Sequence, residues 1–177
     1  MSFMRHNWVI WALLSSCAAP TPLAPVGWQR GLPDLQFLAP SPSGLTWNRS
    51  IIHLHSPFSH DACDGKGYID GELNTQCLAD LRQALCDTHV DAAFLTDHPA
   101  HAAEVTFENL LLSQSGDAVI APYGQPIGNQ ITCPEGHTVQ WFPGVEDELM
   151  PLALESDVAD TPEERDRLLN STDIEAI

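Results

Sequence analysis

Positive charge is scarce in this chain. Only seven of 177 residues are Lys or Arg, against 24 Asp or Glu, and the formal net charge is −17. Proteins hold nucleic acid by neutralising its phosphates with basic side chains, so nucleic acid is a poor partner here. A small phosphorylated molecule is not excluded, because a bound divalent cation inverts the local field. Long hydrophobic runs are missing too. The apolar stretch from Trp8 to Leu14 falls far short of the ~20 residues needed to span a bilayer. Internal repeats are absent, and no obligate protein partner is implied. What remains is 44% hydrophobic and 18% charged, the composition of a folded chain long enough for one domain with its own core.

The first 17 residues read as an export signal. Arg5 and His6 give a weakly basic start, "WVIWALL" an apolar run, and "LSSC" a small-residue processing site. Leu14-Ser15-Ser16-Cys17 resembles a bacterial lipobox, which implies a lipid on Cys17 and an exported protein anchored in the cell envelope by that lipid alone. A plain secretory signal is the alternative. Residues 18–44, with "AAPTPLAP" and "LAPSPSG", have the composition of a stiff tether. The folded part is expected over 45–177. With Cys17 lipidated, Cys63, Cys77, Cys86 and Cys133 remain, an even number compatible with two disulfides in an exported chain. Cys77 and Cys86 fall in one expected helix, more than ~13 Å apart at its rise per residue, so they cannot pair with each other. Each would pair with Cys63 or Cys133, unless all four are reduced core thiols.

Strands alternate with helices along the folded part. Ser50 to His55 reads as a strand. Asn74 to Thr88 reads as a helix with Cys77, Leu78, Leu81, Ala84 and Leu85 on one face. Asp91 to His98 is a buried strand, Ala102 to Ser113 a helix, and Asp117 to Cys133 a β-hairpin insertion. His137 to Glu146 and "MPLALES" (Met150 to Ser156) read as further strands. "TPEER" opens a helix, with Thr161 as cap, Pro162 in the first turn and Glu164 completing a capping box. The alternation predicts an α/β fold with parallel strands. The last residues, "NSTDIEAI", repeat the helix-start signal. One turn of helix is unstable alone, so the chain is expected to be a fragment of something longer.

Chemistry concentrates in three places. "IIHLHSPFSHDACDG" (Ile51 to Gly65) holds three of the eight histidines. His53 and His55 alternate on a strand, so both rings leave the same face about 6.6 Å apart along it. The loop behind them offers His60, Asp61 and Asp64. "LTDH" ends a buried strand, where α/β folds place their sites; His98 can ligate, and Asp97 can hold an imidazole or a water. In "PGVEDE", Glu146 follows a strand and can bridge two ions as an imidazole cannot. Each motif alone has a bland reading: sheet packing, a strand-end cap, a surface acid. His89 is expected at a helix end, His101 at the surface and His137 in a turn.

Taken in order, the series is His-x-His, an Asp-bearing loop, Thr-Asp-His ending 43 residues after His55, and Gly-x-Glu ending 48 residues later. This series resembles the PHP superfamily, named for its polymerase and histidinol-phosphatase members, over residues 51–177. The resemblance implies a distorted (β/α)7 barrel holding two or three Zn, Mn or Fe ions at the strand C-termini. This chain would supply about three β/α units plus the hairpin insertion. It implies that His53 and His55 bind one ion, that Glu146 bridges it to a second, and that His98 binds a third together with a loop residue. That residue is Asp61 in preference to His60 or Asp64. The implied activity is metal-assisted phosphoester hydrolysis, with His60 or Asp97 as the groups that move protons. The family's later ligands, a His and an Asp-x-His, would lie beyond Ile177, so these 177 residues alone are expected to be inactive. An amidohydrolase-like barrel also begins with His-x-His, but gives no reason for Thr-Asp-His before Gly-x-Glu. A degenerate metal-binding lipoprotein fragment is the non-catalytic alternative.

Overall fold

Apolar segments too short for helices and rich in Ile, Val, Leu and Phe build the sheet that organises this fold. The computed structural model describes residues 43–45, 47–147 and 149–171. The export signal, Cys17, the proline-rich tether up to residue 42 and the final helix opening lie outside them. Strand β1 (Ser50–Leu54) is followed by a 3-10 turn (Cys63–Gly65), a small hairpin of β2 (Tyr68–Ile69) and β3 (Glu72–Leu73), and helix α1 (Thr75–Asp87). Then come β4 (Ala92–Asp97), α2 (Pro99–Ala103), α3 (Phe107–Leu110), β5 (Ala118–Ile120), β6 (Gly128–Thr132), β7 (Thr138–Val145) and α4 (Pro162–Leu169).

Five strands form one sheet in the order β1-β4-β7-β6-β5. β1, β4 and β7 run parallel, whereas β6 and β5 join antiparallel at one edge. The expectation of parallel strands therefore holds for three of the five, and the expected 117–133 hairpin supplies the two that depart from it. The architecture is mixed α/β. Among the described residues the sheet does not close into a barrel. β4 lies between two parallel neighbours, and Ala93, Leu95, Thr96 and Asp97 on it are all buried. A strand covered on both faces needs such a continuous run rather than alternation. Trp141 on β7 is fully buried and donates its indole N–H to the Leu111 carbonyl at 2.9 Å.

Helix α1 starts where Asn74 accepts a hydrogen bond from Cys77 N at 3.1 Å. Leu78, Leu85 and Cys86 are its buried residues. Ala84, expected on that face, is exposed. Cys86 packs inward in its place because it bridges to Cys133, while Cys77 bridges to Cys63. Both pairings respect the reach argument, with Cα atoms 6.0 and 5.6 Å apart.

Two expected elements differ. The single helix over 102–113 is split: it begins early, at Pro99, and breaks at Thr106, whose backbone is extended (φ −70°, ψ 153°). Phe107 N donates to Asp157 Oδ1 at 3.0 Å instead of to a helical carbonyl. The strand expected at 150–156 is irregular. Pro151 has no N–H to give a ladder, and Met150 and Ala153 take positive φ. This segment still crosses the end of β7, through Val145 N to Pro151 O at 3.0 Å and Leu154 N to Pro143 O at 2.8 Å. Gly144 permits the crossing, since a Cβ there would stand 2.7 Å from the Pro151 carbonyl oxygen. Helix α4 keeps half of its capping box. Thr161 Oγ1 accepts from Glu164 N, but the Glu164 carboxylate turns to Arg167.

The β5 edge is tied to α1 by charge. Arg82 Nη1 donates to Asp117 Oδ2 at 2.8 Å, and Asn129 and the Gln114 N–H donate to the same oxygen. Burial alone would raise the Asp117 pKa; these donors outweigh it and hold the carboxyl below its ordinary value. A depressed folded-state pKa means stability fully present above ~4 and lost as pH falls through the depressed value. Asp117→Asn is therefore expected to cost about 3 kcal/mol at pH 7, by stranding the partly buried guanidinium. It should also flatten the acid limb of a stability-versus-pH curve, measured by urea unfolding. An unchanged acid limb would remove the linkage.

Candidate metal centre

Because β1, β4 and β7 are parallel, their C-terminal ends meet at one rim. His53 lies within β1 and His55 just beyond it, His98 follows β4, and Glu146 follows β7. The register sets Asp97 beside Val145, and Glu146 N donates to the Asp97 carbonyl at 3.0 Å. Residues 91 positions apart in the chain thus become neighbours: Glu146 Oε2 is 2.8 Å from His55 Nε2. Oε1 of the same carboxylate is 3.6 Å from His53 Nε2, and Oε2 is 3.3 Å from His98 Nδ1. The His53 and His55 rings stack with centroids 5.1 Å apart.

The fifth member, Asp61, comes from the loop behind β1. Oδ1 lies 2.7 Å from His55 Nδ1, and Oδ2 lies 3.4 Å from His98 Nε2. That loop is pinned along its length. Ser56, Pro57, Phe58 and Ser59 are buried, Phe58 packs edge-on against Tyr68, and the Cys63–Cys77 bridge ties the loop to α1. A Cβ on Gly67 would collide with the Pro57 carbonyl, so the loop's return passes through a position only glycine fits. Asp97 holds its start: Ser56 N and Ser56 Oγ each donate to an Asp97 oxygen at 2.6 Å.

Neither a protein-family model, nor a curated protein, nor a solved structure matches this chain. Its chemistry must be read from the donors themselves.

The donor atoms of His53, His55 and Glu146 all lie within 4.8 Å of one another, and so do those of His55, Asp61 and His98. An ion ~2.0–2.1 Å from each of its ligands separates tetrahedral donors by ~3.4 Å. Within these groups the 3.6 Å His53–Glu146 and 3.4 Å His98–Asp61 separations are close to that spacing, whereas the two His55 contacts, 2.8 Å to Glu146 and 2.7 Å to Asp61, are hydrogen-bond distances. Imidazole and carboxylate together suit Zn, Mn or Fe. The residues present therefore fit a metal centre.

His55 is hydrogen-bonded on both sides of its ring, to Asp61 and to Glu146. Burial pulls the His55 pKa down, but donation to Asp61 and Glu146 outweighs it and raises the value above the ordinary one. The Ser59 hydroxyl, with His55 behind it, holds the Asp61 carboxyl well below its usual range. Asp97 moves the other way: burial raises it, against the two Ser56 hydrogen bonds.

The other candidates take distinct posts. Asp97 is only 1% exposed, so it faces the loop backbone rather than open solvent. His60 is exposed and leans over His98, with ring centroids 5.0 Å apart. Asp64 is exposed and belongs to neither ligand group. His137 binds the Val90 carbonyl, and His89, past the end of α1, packs against it. His101, expected at the surface, is half-buried with its ring 4.8 Å from His60. Burial first, and then His60, lowers its pKa. A signal for it did exist: His98 and His101 are three residues apart where a helix begins, which puts them on adjacent turns.

Proposed function

We propose that this chain carries the metal centre of a divalent-metal-dependent phosphoesterase resembling the PHP superfamily, in an exported protein anchored by a lipid on Cys17. One observation carries the reading: three segments far apart in sequence deliver three imidazoles and two carboxylates to one rim, at ion-sharing distances. His53, His55 and Glu146 would hold one ion, with Glu146 bridging toward a second held by Asp61 and His98. When bound, such ions lower the pKa of a water toward ~7 and polarise a phosphoryl oxygen.

The rest falls to the chain's own groups. Asp61 accepts from His55 Nδ1, which fixes the tautomer and leaves Nε2 facing Glu146. Asp97 positions the ligand loop through Ser56. His60, exposed at the rim, is the group placed to exchange protons with substrate. Three protein ligands at the first site leave coordination open, as hydrolysis requires. A phosphorylated substrate also fits an acidic chain once cations offset its field. The lipid is the membrane contact proposed; no helix among the described residues is long and apolar enough to cross a bilayer.

The test is hydrolysis of an aryl phosphate by the protein in the form its own cells export, with Mn²⁺ or Zn²⁺ added. Turnover is expected, lost on chelation and at least ~100-fold lower in His53→Ala, as befits loss of a direct ligand. Metal binding without turnover would leave a binding protein, and turnover indifferent to His53 would move the active site elsewhere.

A further inference from the structure

The loop that carries Asp61 is fastened by hydrogen bonds at its two ends and by sulfur in between. Asp97 holds its start through Ser56. Asn74 holds its end, with Asn74 N donating to the Gly67 carbonyl at 2.8 Å and Nδ2 to the Lys66 carbonyl at 2.9 Å. Between these points the backbone bonds among the described residues run inside the loop: Ala62 N to Ser59 O, Gly65 N to Ala62 O and Lys66 N to Cys63 O. They shape the turn without tying it to the sheet or to α1. The Cys63–Cys77 bridge makes that tie, two residues beyond Asp61.

Two further observations set this bridge apart from the other. Cys63 and Asp64 both have φ of 55°, a left-handed conformation that non-glycine residues keep only where their surroundings enforce it. A loop under that constraint relaxes when its covalent tie is cut. Cys63 and Cys77 are half-buried, whereas Cys86 and Cys133 are each only 3% exposed. Thiol–disulfide exchange needs an incoming thiolate to reach a bridge sulfur, so a reductant meets the loop bridge first.

We propose that the Cys63–Cys77 bridge is a redox latch on the metal centre: a dithiol reductant opens it, the loop lets Asp61 move away from His55 and His98, and the ion is released. The chemistry balances with the dithiol as sole co-reactant. One of its thiolates attacks a bridge sulfur, and the S–S bond breaks with its electron pair leaving on the other cysteine, which takes up a proton. The second thiol of the reductant then resolves the mixed disulfide. Two electrons and two protons pass to Cys63 and Cys77, and the reductant becomes a disulfide. The Cys86–Cys133 bridge stays closed, so the fold outlasts the switch. This regulation rests on the metal-centre reading above.

The experiment treats the folded full chain with graded dithiothreitol, labels the freed thiols with iodoacetamide and identifies them by peptide mass. After the reductant is removed, Mn²⁺ binding is measured by isothermal titration. Cys63 and Cys77 should be labelled before Cys86 and Cys133, and Mn²⁺ should bind ~10–100-fold more weakly, the loss typical when a group orienting a ligand is removed. Unlabelled reduced protein, reoxidised in air, should recover its affinity. A Cys63→Ser/Cys77→Ser variant should bind as weakly as the reduced chain and ignore the reductant, which excludes the bulk of the label as the cause. Circular dichroism checks that the reduced chain keeps its fold, and unfolding at this step would overturn the latch. So would labelling of both pairs together, or unchanged affinity once Cys63 and Cys77 are free; either result leaves the metal centre standing. An oxidised wild type that binds no Mn²⁺ would overturn the latch and the metal-centre reading together.

Discussion

Removing the Cys86–Cys133 bridge should lower the free energy of unfolding by about 4 kcal/mol. The bridge closes a 47-residue loop, and closing a loop of that length removes roughly this much entropy from the unfolded chain. Domains of this size are stable by only ~5–15 kcal/mol, so the loss is a large share of the total. Both cysteines are buried, and the bridge ties α1 to the residue just beyond β6. A Cys86→Ala/Cys133→Ala double variant should therefore shift the guanidinium midpoint far more than a surface change would. The 14-residue Cys63–Cys77 loop is worth about 3 kcal/mol by the same reasoning. Its loss should also loosen Asp61, so it weakens metal binding where the Cys86 variant mainly weakens the fold. Equal midpoints for the double variant and wild type, under oxidising conditions, would mean the bridge contributes nothing.

How much of this was legible depended on whether the deciding interaction was local. β4 announced itself, because a strand buried on both faces is apolar over most of its length, and "AAFL" at the head of "AAFLTD" is. Asn74 and Thr161 marked their helix starts because a cap acts within three residues. The break at Thr106 was invisible, since the group that stabilises it, Asp157, lies 50 residues away. The apolar pattern of "MPLALES" suggested a strand, but the pattern does not reveal the positive φ at Met150 and Ala153. In the site, the alternation of His53 and His55 was readable on its own. Their meeting with Glu146 was an expectation from motif order, because only the parallel register of β1, β4 and β7 brings those ends together. Asp97 showed the same limit. Its place at a strand end was clear, but its partner, Ser56, sits 41 residues earlier and the pairing is set by the fold.

Glu146→Gln tests that register most severely. The Glu146 carboxylate stands within 3.6 Å of ring nitrogens on His53, His55 and His98 at once. Losing a partner one step removed from a metal typically costs 10–100-fold in affinity. Losing the group shared between two ligand sets should cost more, on the order of 10³-fold, or about 4 kcal/mol. The substitution keeps shape and leaves one oxygen, so the fold should survive and the loss should appear in the ion-binding isotherm. The ion also competes with protons. The ordinary His pKa is ~6.5, and that of His55 is raised above it by the two carboxylates, so ion affinity should decline as pH falls through a point above ~6.5. In the absence of an ion the sign reverses: the protonated His55 pair stabilises the fold below the ordinary histidine pKa, and that contribution fades as pH rises through the raised value. Glu146→Gln removes one of the two carboxylates that raise it, so both dependences should move to lower pH. Isothermal titration with Zn²⁺ at several pH values separates the outcomes. Wild-type affinity in Glu146→Gln would mean that the carboxylate at the end of β7 is an acid hydrogen-bonded to histidines and nothing more.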